Sequence, residues 1–201
     1  MSTTQHVAHL RDALERFEHG CTVLEDWGSA LVRVLTSGGR LLAAGNGGSA
    51  AQAQHLTAEL VGRYQGERRP FSAICLSAET SSLTAITNDY PPDELFARQV
   101  EAHGRPGDVF VGLSTSGSSA NVVNAARRAR ACGLKVWALT GPAPNPLADA
   151  SDSYVAVEAA STATVQEMHL VALHLLCEVF DEHLRISEPT GAVADLAEAH
   201  R

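Results

Sequence analysis

The sequence predicts an α/β protein: a three-layer α/β/α sandwich around a central parallel sheet of about five strands, flavodoxin-like in its order, preceded by two N-terminal helices. Three observations carry this. Short runs rich in Val, Ile and Leu are apolar throughout rather than in alternation, as strands buried on both faces require. Helical stretches separate them, the order that builds a parallel sheet with crossover helices. Two glycine- and serine-rich turns, Gly45-Asn46-Gly47-Gly48-Ser49 and Ser114-Thr115-Ser116-Gly117-Ser118-Ser119, each fall where such a run gives way to a helix.

In chain order, Val7, Leu10, Leu14 and Phe17 recur at helical spacing, and this first helix is expected to stop near Gly20. A second stripe, Val23, Trp27, Leu31, Val34 and Leu35, ends at Gly38-Gly39, the usual glycine punctuation of a helix end. A sheet domain does not need both helices for its core, so they are expected also to pack against another subunit. Then follow strand 40–45, helix 49–64, strand 72–77, a short helical piece at 82–86 and helix 92–103. Strand 108–113, helix 119–132, strands 134–140 and 153–157, and a long helix 162–184 complete the pattern. Gly141-Pro142-Ala143-Pro144-Asn145-Pro146 reads as a turn-rich connector, too short to link domains. The chain has 201 residues, 45% of them apolar, enough for one well-buried domain over 1–186. Residues 187–201 are weakly periodic and are expected to form a mobile tail.

The two turns are suited to a phosphorylated small molecule. Glycine lets the backbone approach a ligand closely, and the N–H groups at a helix start favour an anion. The second turn adds five serine and threonine hydroxyls that can donate to phosphate or sugar oxygens. Gly45, Gly47 and Ala50 also fit the dinucleotide pattern G-x-G-x-x-[GA]. That reading needs an acidic residue about 20 positions on, and the nearest candidate, Glu79, comes too late. An ordinary capped helix start is the plainer alternative for the serine turn.

A formal net charge of −8 argues against a nucleic-acid surface. Arg63, Arg68 and Arg69 form the one notable basic cluster, which reads as a solvated helix end, with Arg63 a candidate phosphate contact. Cys21, Cys75, Cys132 and Cys177 are widely separated and form no C-x-x-C pair; they read as buried free thiols in a reducing compartment. No segment approaches the apolar length of a membrane span and no signal-peptide core opens the chain, so no membrane association and a cytoplasmic location are expected.

His55 and Glu59 are four residues apart and share one helix face, a spacing that suits a shared metal, a base with its partner, or a plain surface pair. On the long C-terminal helix an apolar stripe of Met168, Val171, Ala172 and Leu175 is punctuated by Gln166, His169 and His174, which are either satisfied core groups or pocket residues.

The ordered set Gly45-Asn46-Gly47-Gly48-Ser49-Ala50, His55, Glu59, Gly62-Arg63-Tyr64, Asn88-Asp89, Ser114-Thr115-Ser116-Gly117-x-Ser119 and Gln166-Glu167-x-His169 with His174 closely resembles the sedoheptulose 7-phosphate isomerases. These phosphoheptose isomerases belong to the sugar isomerase (SIS) domain family. The turns alone mark the superfamily, whereas His55, Glu59, Gln166 and His174 together are far more specific. The resemblance implies a homotetramer with sites at subunit interfaces and a zinc ion held by His55, Glu59, Gln166 and His174. It implies substrate contacts at Asn46, Gly47, Gly48, Glu59, Asn88, Asp89, Ser114, Thr115, Ser116, Ser119 and Gln166, with Glu59 as base and His174 as acid. An ideal helix puts Gln166 and His174 about 12 Å apart along its axis, so either the ion lies between them over the helix flank or a ligand comes from another subunit. Enterobacterial-type members carry an acid and an arginine where this chain has Ala163 and Thr164. Two alternatives stand beside this reading. One is an isomerase of another phosphosugar. The other is a non-catalytic SIS regulator of the replication initiator, which lacks the carboxylate and imidazole that this chain keeps at Glu59 and His174.

Overall fold

The computed structural model describes residues 2–187. The expected tail lies outside the described residues, apart from Ser187, which closes the last helix. Two helices come first, α1 (Thr3–Glu15) and α2 (Glu18–Thr36), followed by β1 (Leu41–Gly45), α3 (Gly48–Val61), β2 (Ala73–Cys75), α4 (Thr80–Asp89) and α5 (Glu94–His103). The rest is β3 (Val109–Ser114), α6 (Ala120–Ala131), β4 (Lys135–Thr140), α7 (Pro146–Asp149), β5 (Ser153–Ala156) and α8 (Thr162–Ser187). All strand pairs are parallel, in the order β2-β1-β3-β4-β5. The three-layer sandwich is thus as the apolar runs predict.

The runs are continuous because each strand serves two cores. In β1, Leu41 and Ala43 face one layer with Ala53 and Leu56 of α3, Leu31 of α2 and Phe180 of α8. Leu42 and Ala44 face the other, with Phe96 of α5 and Val122 and Ala126 of α6. Each such fully buried Leu or Phe contributes about 1.5–3 kcal/mol of apolar transfer. β1 and β3 are neighbours, yet the chain leaves β1 through α3 toward β2 and leaves β3 through α6 toward β4. The crevice between two diverging loops at the strands' carboxyl ends is where such sheets bind ligands. Both glycine- and serine-rich turns open there.

Several expectations are corrected. Gly20 does not end the first helix; it sits buried in the first turn of α2, where a Cβ would fall 2.7 Å from the Phe17 ring. The second N-terminal helix is not surplus to the core: Leu24, Trp27 and Leu31 are buried, and Trp27 stacks on Trp137 of β4 at 4.8 Å while donating to Ser153 Oγ. Of the two N-terminal helices, α1 is the one that leaves large apolar groups outside, Val7 at 66% and Leu14 at 46% exposure. The helical piece at 82–86 extends to Thr80–Asp89 because Glu79 caps it, accepting from the N–H groups of Ser81 and Ser82. The connector 141–146 leads into the short helix α7, capped by Asn145 with Pro146 in its first turn.

The four cysteines are free, but only Cys177 is buried and Cys21 is exposed. Burial, reinforced by the carboxylates of Glu59 and Asp181, pushes the Cys177 thiol up to about 12. Nor is Arg68 solvated: it pairs with Asp181 of α8 at 2.8 Å and donates to Leu60 O and Glu59 O, closing the carboxyl end of α3. Among the described residues no helix is long and apolar enough to cross a membrane.

Candidate functional site

The first turn leaves β1 at Gly45 and enters α3 at Gly48 through Gly47, whose φ of +55° lies in the left-handed region that favours glycine. The start of α3, with Ser49 N and Ala50 N bonded back to Asn46 O, therefore presents the N–H groups of Gly47 and Gly48 at the carboxyl edge of the sheet. A Cβ on Gly48 would overlap the Gln166 carboxamide, and Gln166 O accepts from Gln52 Nε2 at 2.6 Å, so the start of α8 is seated on the start of α3. Gly48 is the first residue of α3 and has no positive φ, so its backbone accommodates alanine. The Gly48→Ala variant is accordingly expected to fold with little change in melting temperature while the Gln166 carboxamide is displaced. Thermal melts beside a crystal structure of the variant check this.

In the second turn Ser114 Oγ lies 3.0 Å from Ser119 Oγ and 3.4 Å from Ser116 Oγ, and Ser118 donates both N–H and hydroxyl to Ser116 Oγ. The two turns are tied to each other: the side-chain amides of Asn46 and Asn121 exchange hydrogen bonds at 2.9 and 3.0 Å. The hydroxyl cluster and the helix start thus share one crevice.

Further along α3, His55 Nε2 lies 3.1 Å from Glu59 Oε1 and 3.2 Å from His174 Nε2 of α8. The Tyr64 ring stands 5.7 Å from the His174 ring. Helices α3 and α8 run side by side in the same direction, Gly48 meeting Gln166 and His55 meeting His174. Two facing Nε2 atoms at 3.2 Å need either one proton between them or a shared cation. Ligand atoms on a tetrahedral zinc with bonds of about 2.0–2.1 Å are about 3.3 Å apart, so this spacing and donor set fit such an ion. Among the described residues no three His, Cys, Asp or Glu groups already close into a metal cage; His55 is the shared member of two close pairs. Gln166 keeps its carboxamide at Gly48, two helical turns before His174.

His169 is fully buried, donating Nε2–H to Thr140 O at 3.1 Å, and burial pushes its pKa down from 6.5 to about 4. The folded chain resists a proton that the unfolded chain accepts. Stability from this group is therefore complete above the unfolded pKa near 6.5, declines as pH falls and is lost by about pH 4. The decline amounts to about 3 kcal/mol. Urea midpoints of the wild type and of His169→Gln, compared from pH 7 to pH 4, are expected to converge on the acid side.

A model of the SIS domain matches residues 5–141. The chain is 62% identical to the phosphoheptose isomerase of Streptomyces coelicolor over 192 residues, 96% of this chain and 83% of that protein. The chain belongs to the SIS-domain phosphoheptose isomerases. As a member of this family it is an enzyme, an aldose–ketose isomerase. The solved phosphoheptose isomerase of Neisseria gonorrhoeae superposes with a TM-score of 0.79 at 37% identity, covering 89% of this chain and 94% of that one. That of Francisella tularensis gives 0.81 at 30% identity, covering 90% and 100%.

Of the residues that the resemblance to phosphoheptose isomerases implied, the structure gathers Asn46, Gly47, Gly48 and Gln166 at the start of α3. Ser114, Thr115, Ser116 and Ser119 form the adjacent turn, and His55, Glu59 and His174 meet farther along α3. Asn88 and Asp89 end α4, exposed and hydrogen-bonded to each other; among the described residues no hydrogen bond joins them to either turn. Arg63 is exposed beyond the carboxyl end of α3, donating to Gln65 O and near the Glu67 carboxylate. Glu79 is a helix cap and not a ribose acceptor; hydrogen bonds from Ser82 and Ser81 hold its carboxylate below the ordinary range. Ala163 is exposed in the first turn of α8, while Thr164 is buried with its hydroxyl unpartnered. Sequence reasoning missed Asn121, whose side chain is one of many polar groups on an exposed helix start until its partner Asn46 is in place.

Proposed function

We propose that this chain interconverts sedoheptulose 7-phosphate and D-glycero-D-manno-heptose 7-phosphate through an enediol. The observation that carries the reading is the meeting of His55, Glu59 and His174 where α8 packs along α3, the helix whose N-terminal end opens into the anion-favouring crevice. The relatives from Streptomyces coelicolor, Neisseria gonorrhoeae and Francisella tularensis are named phosphoheptose isomerases, which supports the same substrate. The serine turn and the start of α3 receive the phosphate through hydroxyls and backbone N–H groups. Its far end held there, the seven-carbon sugar extends along α3 with carbons 1 and 2 toward Glu59. In the ketose-to-aldose direction a hydrogen leaves carbon 1 as a proton and returns to carbon 2, while a hydroxyl proton moves from oxygen 1 to oxygen 2. Glu59 has Oε1 turned to His55, and its other oxygen serves as the base for the carbon-bound proton. His174 moves the oxygen proton through the ring nitrogen that does not face His55.

Zinc is the cation proposed for His55, Glu59 and His174, with Gln166 the fourth ligand if its side chain turns along α8 or a second subunit supplies it, and when bound it polarises the substrate oxygens. Dialysis against a chelator is expected to abolish turnover and added zinc to restore it. His55→Ala is expected to retain less than a tenth of the wild-type zinc content by atomic absorption, the loss expected when one of so few protein ligands goes. Full zinc content in that variant would remove His55 from the ligand set. The exposed Val7 and Leu14 of α1 support assembly, for which we propose a homotetramer with the sites at its interfaces. A sugar-phosphate substrate and four free thiols fit a cytoplasmic enzyme.

A further inference from the structure

The serine turn is held in place by residues outside it. Ser114 pairs in register with Thr140 of β4, so the last residue of β4 lies beside the first residue of the turn. Thr140 is fully buried and is the meeting point of two side chains from other elements. From α8, His169 donates Nε2–H to Thr140 O, which also accepts from Val157 N. From the loop before α7, Asn145 Nδ2 donates to Thr140 Oγ1 at 3.2 Å and to Pro142 O, and Thr140 Oγ1 in turn donates to Gly141 O at 2.9 Å.

The 141–147 segment also presses on the turn itself. Gly117 has a φ of +63°, and a Cβ there would overlap the Asn145 side chain. Leu147 N donates to Gly117 O at 2.9 Å, and Gly141 packs directly on Thr115 O. Asn145 also accepts from Ala148 N, so the cap that starts α7 is the group that supports the turn. The network is buried and single in geometry, the condition under which polar contacts specify shape.

We propose that Asn145 and His169 are positioning residues for the isomerase, holding Thr140 and through it the serine turn in the shape that receives the substrate's phosphate. His169 stands three residues after Gln166 on α8, so one helix carries the group at the start of α3 and the brace of the serine turn. The inference rests on the serine turn being the phosphate cradle, as proposed above. Neither residue touches substrate; each acts through Thr140 or Gly117.

The test uses full-length enzyme with zinc supplied, inorganic phosphate as binding probe by calorimetry, and sedoheptulose 7-phosphate for kinetics. Asn145→Ala and His169→Leu are each expected to raise KM and weaken phosphate binding about tenfold, the scale of one lost hydrogen bond, with kcat within about threefold. His169→Gln, which keeps a donor near the same place, is expected to restore most of the affinity and serves if the leucine variant fails to fold. The Asn145→Ala, His169→Leu double variant is expected to lose less than the two single effects combined, because both residues act on Thr140. A merely structural role would lower the melting temperature and leave KM and phosphate affinity unmoved, and that result would overturn the proposal. Ser116→Ala separates the two layers of the inference. If it leaves phosphate binding intact, the cradle reading fails and the proposal falls with it. If it weakens binding while the Asn145 and His169 variants do not, only the positioning role is lost.

Discussion

Glu59→Gln is expected to lower kcat by about 10³-fold while leaving the fold and sugar-phosphate binding in place, the scale on which a positioned base contributes. The substitution is nearly isosteric, and Glu59 is only 22% exposed on a helix whose neighbours Leu56 and Leu60 are buried, so packing is preserved. What is lost is a negative charge and a basic oxygen at the one place where α3 and α8 bring imidazole nitrogen and carboxylate oxygen within 3.2 Å of His55 Nε2. An amide offers no lone pair basic enough to take a proton from carbon. The proposed phosphate contacts lie at the other end of α3 and are untouched. Kinetics beside calorimetric binding of sedoheptulose 7-phosphate check this, and a variant retaining more than about a tenth of wild-type kcat would remove Glu59 from the base role.

Asp181→Ala is expected to destabilise the chain by about 3 kcal/mol, because it leaves the Arg68 guanidinium buried without its counter-charge. The two side chains are 7% and 13% exposed, and the Arg68 guanidinium lies 5.4 Å from the ring centroids of both Phe71 and Phe180. Water cannot readily replace the lost carboxylate there. At roughly 2–4 °C per kcal/mol for a chain of this size, the melting temperature falls by about 6–12 °C. Replacing both partners by apolar residues, Arg68→Met with Asp181→Leu, is expected to recover most of the loss. Thermal unfolding of the three proteins checks both statements. Because Arg68 also donates to Glu59 O, the single variant is expected to show a lower kcat as well.

The strands were legible because their signal is local: Val109 to Leu113 is apolar at every position since odd and even residues enter different cores. The turns were legible because glycine and serine at a strand end have few other uses. Arg68 was misread because its partner Asp181 lies 113 positions away, and nothing near Arg68 in sequence distinguishes it from a solvated arginine. Asn145 was passed over inside a proline-rich segment, although Asn-Pro is itself a helix-start signal. Gly20 reads as a stop because glycine usually is one, whereas in the fold it makes room for Phe17. His55 and Glu59 could be paired from their spacing alone. That His174 meets His55 required knowing that α3 and α8 pack side by side in the same direction, and periodicity does not carry that information; the family resemblance did.

The most direct measurement is to incubate the zinc-supplied protein with sedoheptulose 7-phosphate in deuterated water and follow the sugar by NMR. The expected result is an aldose 7-phosphate of D-glycero-D-manno configuration with solvent deuterium at carbon 2, absent in Glu59→Gln. A folded protein that forms no aldose from this ketose with zinc present would contradict the assignment of substrate and site alike.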